Sequence, residues 1–142
     1  MKSIIKKLFL VKEIKSKSGT LHFRRWRVFA FPFLSVYIHQ IYKPDEDPFL
    51  HDHPWNYFSL ILKGSYIEQT PTSLNIMTPG KFVFKKATDF HKIQKVILPT
   101  ITLFCTGRRL RDWGYNIPQP NNTLNWVQHE EYRRNKDLYI KK

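Results

Sequence analysis

Two histidines stand one residue apart at the head of an apolar run, in "FLHDHPWNYFSLILKGSYIEQ". On an extended chain residues i and i+2 point to the same face, so His51 and His53 would present two imidazoles side by side. That spacing suits chelation of a single metal ion. A His-x-His pair alone is a weak signal, and a third histidine, His91 in "ATDFHKI", strengthens it. Three nitrogens on one ion leave coordination positions open, which is the requirement for oxygen activation at iron(II) or for Lewis-acid chemistry at Mn, Ni or Zn. Trp55 follows the pair closely enough to wall a pocket. Farther on, Arg108, Arg109 and Arg111 cluster after "TLFCTG", where three guanidiniums at a rim would bind a phosphate or carboxylate in bidentate fashion.

The elements that must hold these residues read as short strands. "LHFRRWRVFAF", "FLSVYIHQIY", "YFSLILKGSYIEQ", "KFVFKKA", "HKIQKVIL" and "TITLFCTG" are separated by Pro, Gly, Asn, Thr or Asp. Many short strands at such spacing indicate an all-β sandwich or barrel, and an aromatic content of 15% suits a β-rich interior. Only "NWVQHEEYRRNKDLY" reads as a helix, at the C-terminus. "PDEDP" lacks the spacing and the bidentate Glu of an EF-hand calcium loop. With 142 residues the chain is expected to form one domain, over 21–142, behind a basic N-terminal segment, 1–20.

The histidine motifs carry a resemblance. His51 and His53, Gly64 eleven residues after the pair, Gly80 and His91 match positions of the two motifs of the cupin superfamily, small jelly-roll barrels of the RmlC-like type. "RRWRV", "HQIYKPDEDPFLHDHPWNYFSLILKGSYIEQ", "ATDFHKI", "PTITLFCTGRRLRDWGY" and "WVQHEEY" are similar to a subfamily of short bacterial and phage cupins with no assigned reaction. The resemblance covers roughly residues 20–132. It implies an all-β jelly roll with a short C-terminal helix, a metal held by His51, His53 and His91, and an oxygenase, of dioxygenase type, as the leading class of activity. It also implies that a homodimer through edge strands is open to the chain.

The departures from the motif matter as much. Its usual glutamate ligand is replaced by Tyr57, and Lys86, Thr88 and Lys95 stand where the second motif has Pro, Gly and Asn. A substitute carboxylate follows from hairpin geometry. If Lys63-Gly64 is a two-residue turn, Leu62 pairs with Ser65 and Ser59 with Glu68. Tyr57 and Ser59 share a face, so Glu68 would point inward beside them, and a buried carboxylate requires a partner. Glu68 is therefore expected as a fourth metal ligand or as an acid/base, with Tyr57 the other catalytic group and Ser59, Trp55 and the three arginines around the substrate. His39 is expected to be structural, Asp52 to face away from the metal, and His22 and His129 to lie at the surface.

Charge and composition bound the partners. The net charge is +13, but the middle of the chain, 28–107, carries seven Lys/Arg against six acids. The excess lies at the ends, where it serves solubility or an anionic partner, and a nucleic-acid groove across the site is disfavoured. A small anionic ligand is the expected partner, with nucleic acid open only to the basic ends. The single cysteine, Cys105, excludes an internal disulfide framework. No apolar run approaches membrane-spanning length, and "MKSIIKKLFLVKEIK" lacks a cleavage site, so a cytoplasmic location is expected. Three function classes remain open. They are a metal-dependent enzyme, a metal-free sugar-nucleotide epimerase or ketoisomerase with a histidine base and tyrosine acid, and a non-catalytic module binding a nucleotide-like ligand.

Overall fold

The structure, a computed structural model, describes residues 9–140. Ten strands form in chain order: β1 (Phe9–Lys15), β2 (Leu21–Phe31), β3 (Leu34–Ile41), β4 (Leu50–His51), β5 (Tyr57–Gln69), β6 (Leu74–Met77), β7 (Phe82–Lys85), β8 (Lys92–Gly107), β9 (Gly114–Pro118) and β10 (Leu124–Gln128). Two short helices follow, α1 (His129–Arg134) and α2 (Lys136–Ile140). All pairings are antiparallel. One sheet runs β1-β2-β3-β8-β5-β6 with β7 also on β5, and the other runs β10-β9-β4. This is the all-β architecture that the strand pattern implies, in the jelly-roll form that the resemblance implies. Among the described residues no helix is long and apolar enough to cross a membrane.

Two apolar clusters hold the layers together. Ile41, Ile61, Tyr66 and Met77 pack inside the large sheet, and Tyr115, Ile117, Val127 and Tyr132 join the small sheet to α1. Asp47, in "PDEDP", ties that second cluster down by accepting hydrogen bonds from Tyr115 and Tyr132 hydroxyls at 3.1 and 3.0 Å.

The structure departs from the sequence reading in four places. "HKIQKVIL" and "TITLFCTG" are not separate strands but one, β8, which passes through Pro99. β3 pairs with β8 only from Thr100 onward, so the missing proline N–H faces no ladder partner on that side. The first four residues of the expected C-terminal helix are strand β10, because Trp126 and Val127 pair with Asn116 and Tyr115 before the helix starts at His129. The basic segment 1–20 contains β1, which pairs with β2.

The fourth departure concerns Lys63-Gly64, which is not a hairpin turn. β5 runs unbroken for 13 residues against β8, and the register slips between Ile61 and Ser65. Gly64 is the bulge. Its φ is +83°, and a Cβ there would lie 2.1 Å from the Pro99 carbonyl oxygen. The extra residue reverses the alternation, as bulges do. Tyr57, Ser59 and Ile61 are buried before it, and Tyr66 and Glu68 after it. Glu68 thus lies across from Asn75 and Ile93, not Ser59, yet still points inward. Gly64→Ala combines left-handed backbone strain with a clash against backbone, and should cost about 2–4 kcal/mol. Urea denaturation of the variant checks this, and an unchanged midpoint would mean that the bulge yields freely.

Candidate metal centre

His91 reaches the His-x-His pair because it forms the bridge between the two sheets. His51 and His91 exchange backbone hydrogen bonds, each N–H donating to the other's carbonyl at 3.0 Å. Directly opposed residues of an antiparallel pair carry their side chains on one face, so both imidazoles project together. His53 follows two residues on, anchored by its N–H donating to the Ala87 carbonyl at 3.1 Å. The result is a compact triad. His53 Nε2 and His91 Nε2 are 2.8 Å apart, and one ring nitrogen from each of the three histidines lies within 4.8 Å of the others.

The protonation states suit ligation. Burial, with His91 close by, pushes His51 down to about 4. Burial and then the neighbouring histidines hold His53 well below the usual imidazole range. Both are neutral near pH 7, with a lone pair available. His91 is turned by Glu68, because its Nδ1 lies 2.8 Å from Oε1, and with the proton on Nδ1 it is Nε2 that faces the triad. Glu68 is 2% exposed. Burial alone would raise its pKa, but the hydrogen bond from His91 and the Lys85 ammonium, 3.3 Å from Oε2, outweigh that and hold it below the ordinary value. The carboxylate is therefore ionised at neutral pH. Tyr57 Oη lies 3.1 Å from His91 Nε2, and burial followed by the Glu68 charge pushes its pKa well up, so it remains a phenol and a donor.

These residues fit a metal ion. Two nitrogens at about 2.1 Å from one ion and at right angles would be about 3 Å apart, close to the spacing that His53 and His91 already have. Glu68, expected as a fourth ligand or as an acid/base, is placed behind His91. Both its oxygens are engaged, one by His91 and one by Lys85, so it stands behind a ligand instead of beside the ion.

The other expected residues divide. Trp55 stacks on His53 with centroids 5.1 Å apart, and Ser59 is buried one step deeper on β5. The three arginines do not act as a set. Arg111 donates to Asp52 Oδ2 at 2.5 Å and lies over the Trp126 ring, Arg109 pairs with Asp112 while 65% exposed, and Arg108 is exposed. Asp52 turns away from the triad, as alternation requires, into a fully buried position. There it also accepts from the Gly114 N–H at 2.7 Å and Trp126 Nε1 at 3.1 Å. His39 is buried in the barrel, and His129 stacks on Trp113 at 3.9 Å.

Sequence reasoning missed Trp113, whose ring lies 6.0 Å from His51 and 6.5 Å from His53 and forms a second aromatic wall. It also missed Lys85 and Arg25. Alternation in "FVFK" and "FRRWR" was the available signal for both, since Lys85 shares a face with Val83 and Arg25 with Phe23.

No protein-family model matches the sequence, and neither does any curated protein. Solved structures do match. An RmlC-like cupin from Shewanella frigidimarina superposes with a TM-score of 0.55 at 11% identity, covering 72% of this chain and 85% of that one. A cupin superfamily protein from Desulfitobacterium hafniense gives 0.53 at 10%, covering 69% and 84%. The Fe(II) form of HppE gives 0.59 at 11%, covering 71% of this chain and 57% of that one. The fold of this chain, with its histidine triad at the junction of two antiparallel sheets, is that of a cupin jelly-roll barrel.

Proposed function

We propose that the protein binds one divalent transition-metal ion through His51, His53 and His91 and acts, with iron(II) favoured, as an oxygenase-type enzyme on a small polar, anionic substrate inside the barrel. The observation that carries this reading is the approach of His53 Nε2 to His91 Nε2 at 2.8 Å, with the His91 ring directed there by Glu68. The Fe(II) form of HppE, similar in fold, supports it. A bound ion would supply open coordination positions and Lewis acidity. The chain's own residues do the rest. Glu68 fixes the His91 ring, Trp55 and Trp113 wall the site, and Tyr57 holds a proton at Oη within reach of a substrate oxygen.

A second reading has one specific observation in its favour. Tyr57 Oη, His91 and Glu68 form a chain of 3.1 and 2.8 Å contacts, which is an acid, a base and its orienting carboxylate without any metal. Metal analysis separates the two. Protein purified without chelator and exposed anaerobically to Fe, Mn, Co, Ni or Zn should retain about one ion per chain. Failure to retain any of them would sink the metal reading and leave the metal-free one.

Glu68→Gln tests the orienting role. The amide keeps the shape but removes the charge that fixes the His91 tautomer, so metal affinity measured by chelator competition should fall about 10–100-fold. The circular dichroism spectrum should not change. Wild-type affinity in the variant would remove Glu68 from the site.

A further inference from the structure

We propose that Arg25, backed by His39 and flanked by Lys12, is an oxyanion subsite inside the barrel that takes the carboxylate or phosphate of the substrate. Register places the three residues in one row across the large sheet, with Lys12 opposite Arg25 and Arg25 opposite His39. Arg25 and His39 face inward, while Lys12, on the edge strand β1, is exposed. His39 is buried and stacks on Phe104 at 4.3 Å, and Phe104 lies 4.7 Å from Tyr57 and 6.0 Å from Trp55. The Arg25 guanidinium sits 5.0 Å from the Tyr37 ring and 5.8 Å from the Phe104 ring.

Among the described arginines, Arg25 is the one that is not exposed and yet has no carboxylate partner. Arg24 pairs with Glu13, Arg109 with Asp112, Arg111 with Asp52 and Lys85 with Glu68. Among the described residues no carboxylate pairs with Arg25, and the residues outside that range contain no Asp or Glu. Burial lowers its pKa, so the charge stands in a setting that resists it. Its hydrogen-bond partner is neutral. Nε donates to His39 Nε2 at 3.0 Å, and burial, then Arg25 and Lys12, hold His39 well below the usual imidazole range.

That bond fixes the guanidinium plane by one edge. The Nη1 and Nη2 groups, which make no hydrogen bond among the described residues, are left as a fork matched to two oxygens of an oxyanion. A small molecule with an oxyanion on Arg25 would thus extend its other end past Phe104 toward the histidine triad. Only the role of that second end rests on the metal reading.

The test titrates inorganic phosphate, acetate and malonate into wild-type protein and variants, following tryptophan fluorescence and heat. Wild type should bind at least one of these anions with a Kd of about millimolar or tighter. Arg25→Gln should weaken that binding about tenfold or more, and Arg25→Lys should fall between, since it keeps the charge without the fork. Arg134→Gln, exposed on α1, should bind as wild type does. His53→Ala should retain the anion while losing metal, so a failed metal reading leaves this result standing. Selective binding of phosphate assigns a phosphorylated substrate, and selective binding of acetate or malonate a carboxylic acid. Equal affinity in Arg25→Gln and wild type, or no anion bound by wild type up to about 20 mM, would overturn the proposal and make Arg25 a packing residue. If Arg25→Gln fails to fold by circular dichroism, Arg25→Lys carries the comparison, and unchanged affinity there with any rim arginine variant weakened would also overturn it.

Discussion

His53→Ala should lower metal content from about one ion per chain to less than a tenth of that, with the β-type circular dichroism spectrum retained. The size of the effect follows from the geometry. Nε2 of His53 lies 2.8 Å from that of His91, so its removal takes away one of the two nitrogens already at ligand spacing. A site of three histidine nitrogens has no spare ligand, because Glu68 is engaged by His91 and Lys85. The fold should survive, since the local chain is held by the His53 N–H on the Ala87 carbonyl and by the His51–His91 backbone bridge, neither of which involves the imidazole. Loss of the stack on Trp55 should cost stability, but only about 1–2 kcal/mol. Full metal occupancy in the variant would place the ion elsewhere.

Asp52→Ala should be the most damaging single change to stability near the site, at about 3 kcal/mol. Asp52 is 0% exposed and receives three donors, the Gly114 N–H, Trp126 Nε1 and Arg111. Alanine strands all three. The Arg111 share is small, because that side chain is 32% exposed and water can replace its partner. The Gly114 amide has no such escape, since a Cβ at Gly114 would already meet the Val127 carbonyl at 2.1 Å. Asp52→Asn, which keeps one acceptor oxygen, should lose about half as much. Urea midpoints decide it, and a midpoint equal to wild type would show that the three donors find other acceptors. Because Asp52 sits between His51 and His53, its loss should loosen metal retention as well.

The sequence showed much of this architecture and little of its register. Strands such as β2 and β5 were legible because the alternation of branched and aromatic residues is a local property, written within each segment. The triad was legible for the same reason, as a same-face pair plus one later histidine. The pairing that brings His91 to His51 was not, because it joins residues forty positions apart and depends on where two sheets meet. Glu68 was placed inside by a hairpin that does not exist. A two-residue turn and a one-residue bulge both invert the alternation, so periodicity alone could not tell them apart. Asp52 shows the opposite limit. Alternation gave its direction correctly, but its burial depends on Arg111 and Trp126, which arrive from the far end of the chain.

The bulge at Gly64 also bears on how such a barrel can diverge. Interior residues are usually exchanged by substitution, one position at a time. Here a deletion of one residue between 62 and 65 would exchange several at once, turning Tyr66 and Glu68 to solvent and bringing Ile67 and Gln69 inside. The orienting carboxylate would be lost without any change in the identity of a site residue. Chain length at this point is thus a heritable determinant of the barrel's chemistry, and a homologue one residue shorter here would house a different interior even with every flanking residue the same.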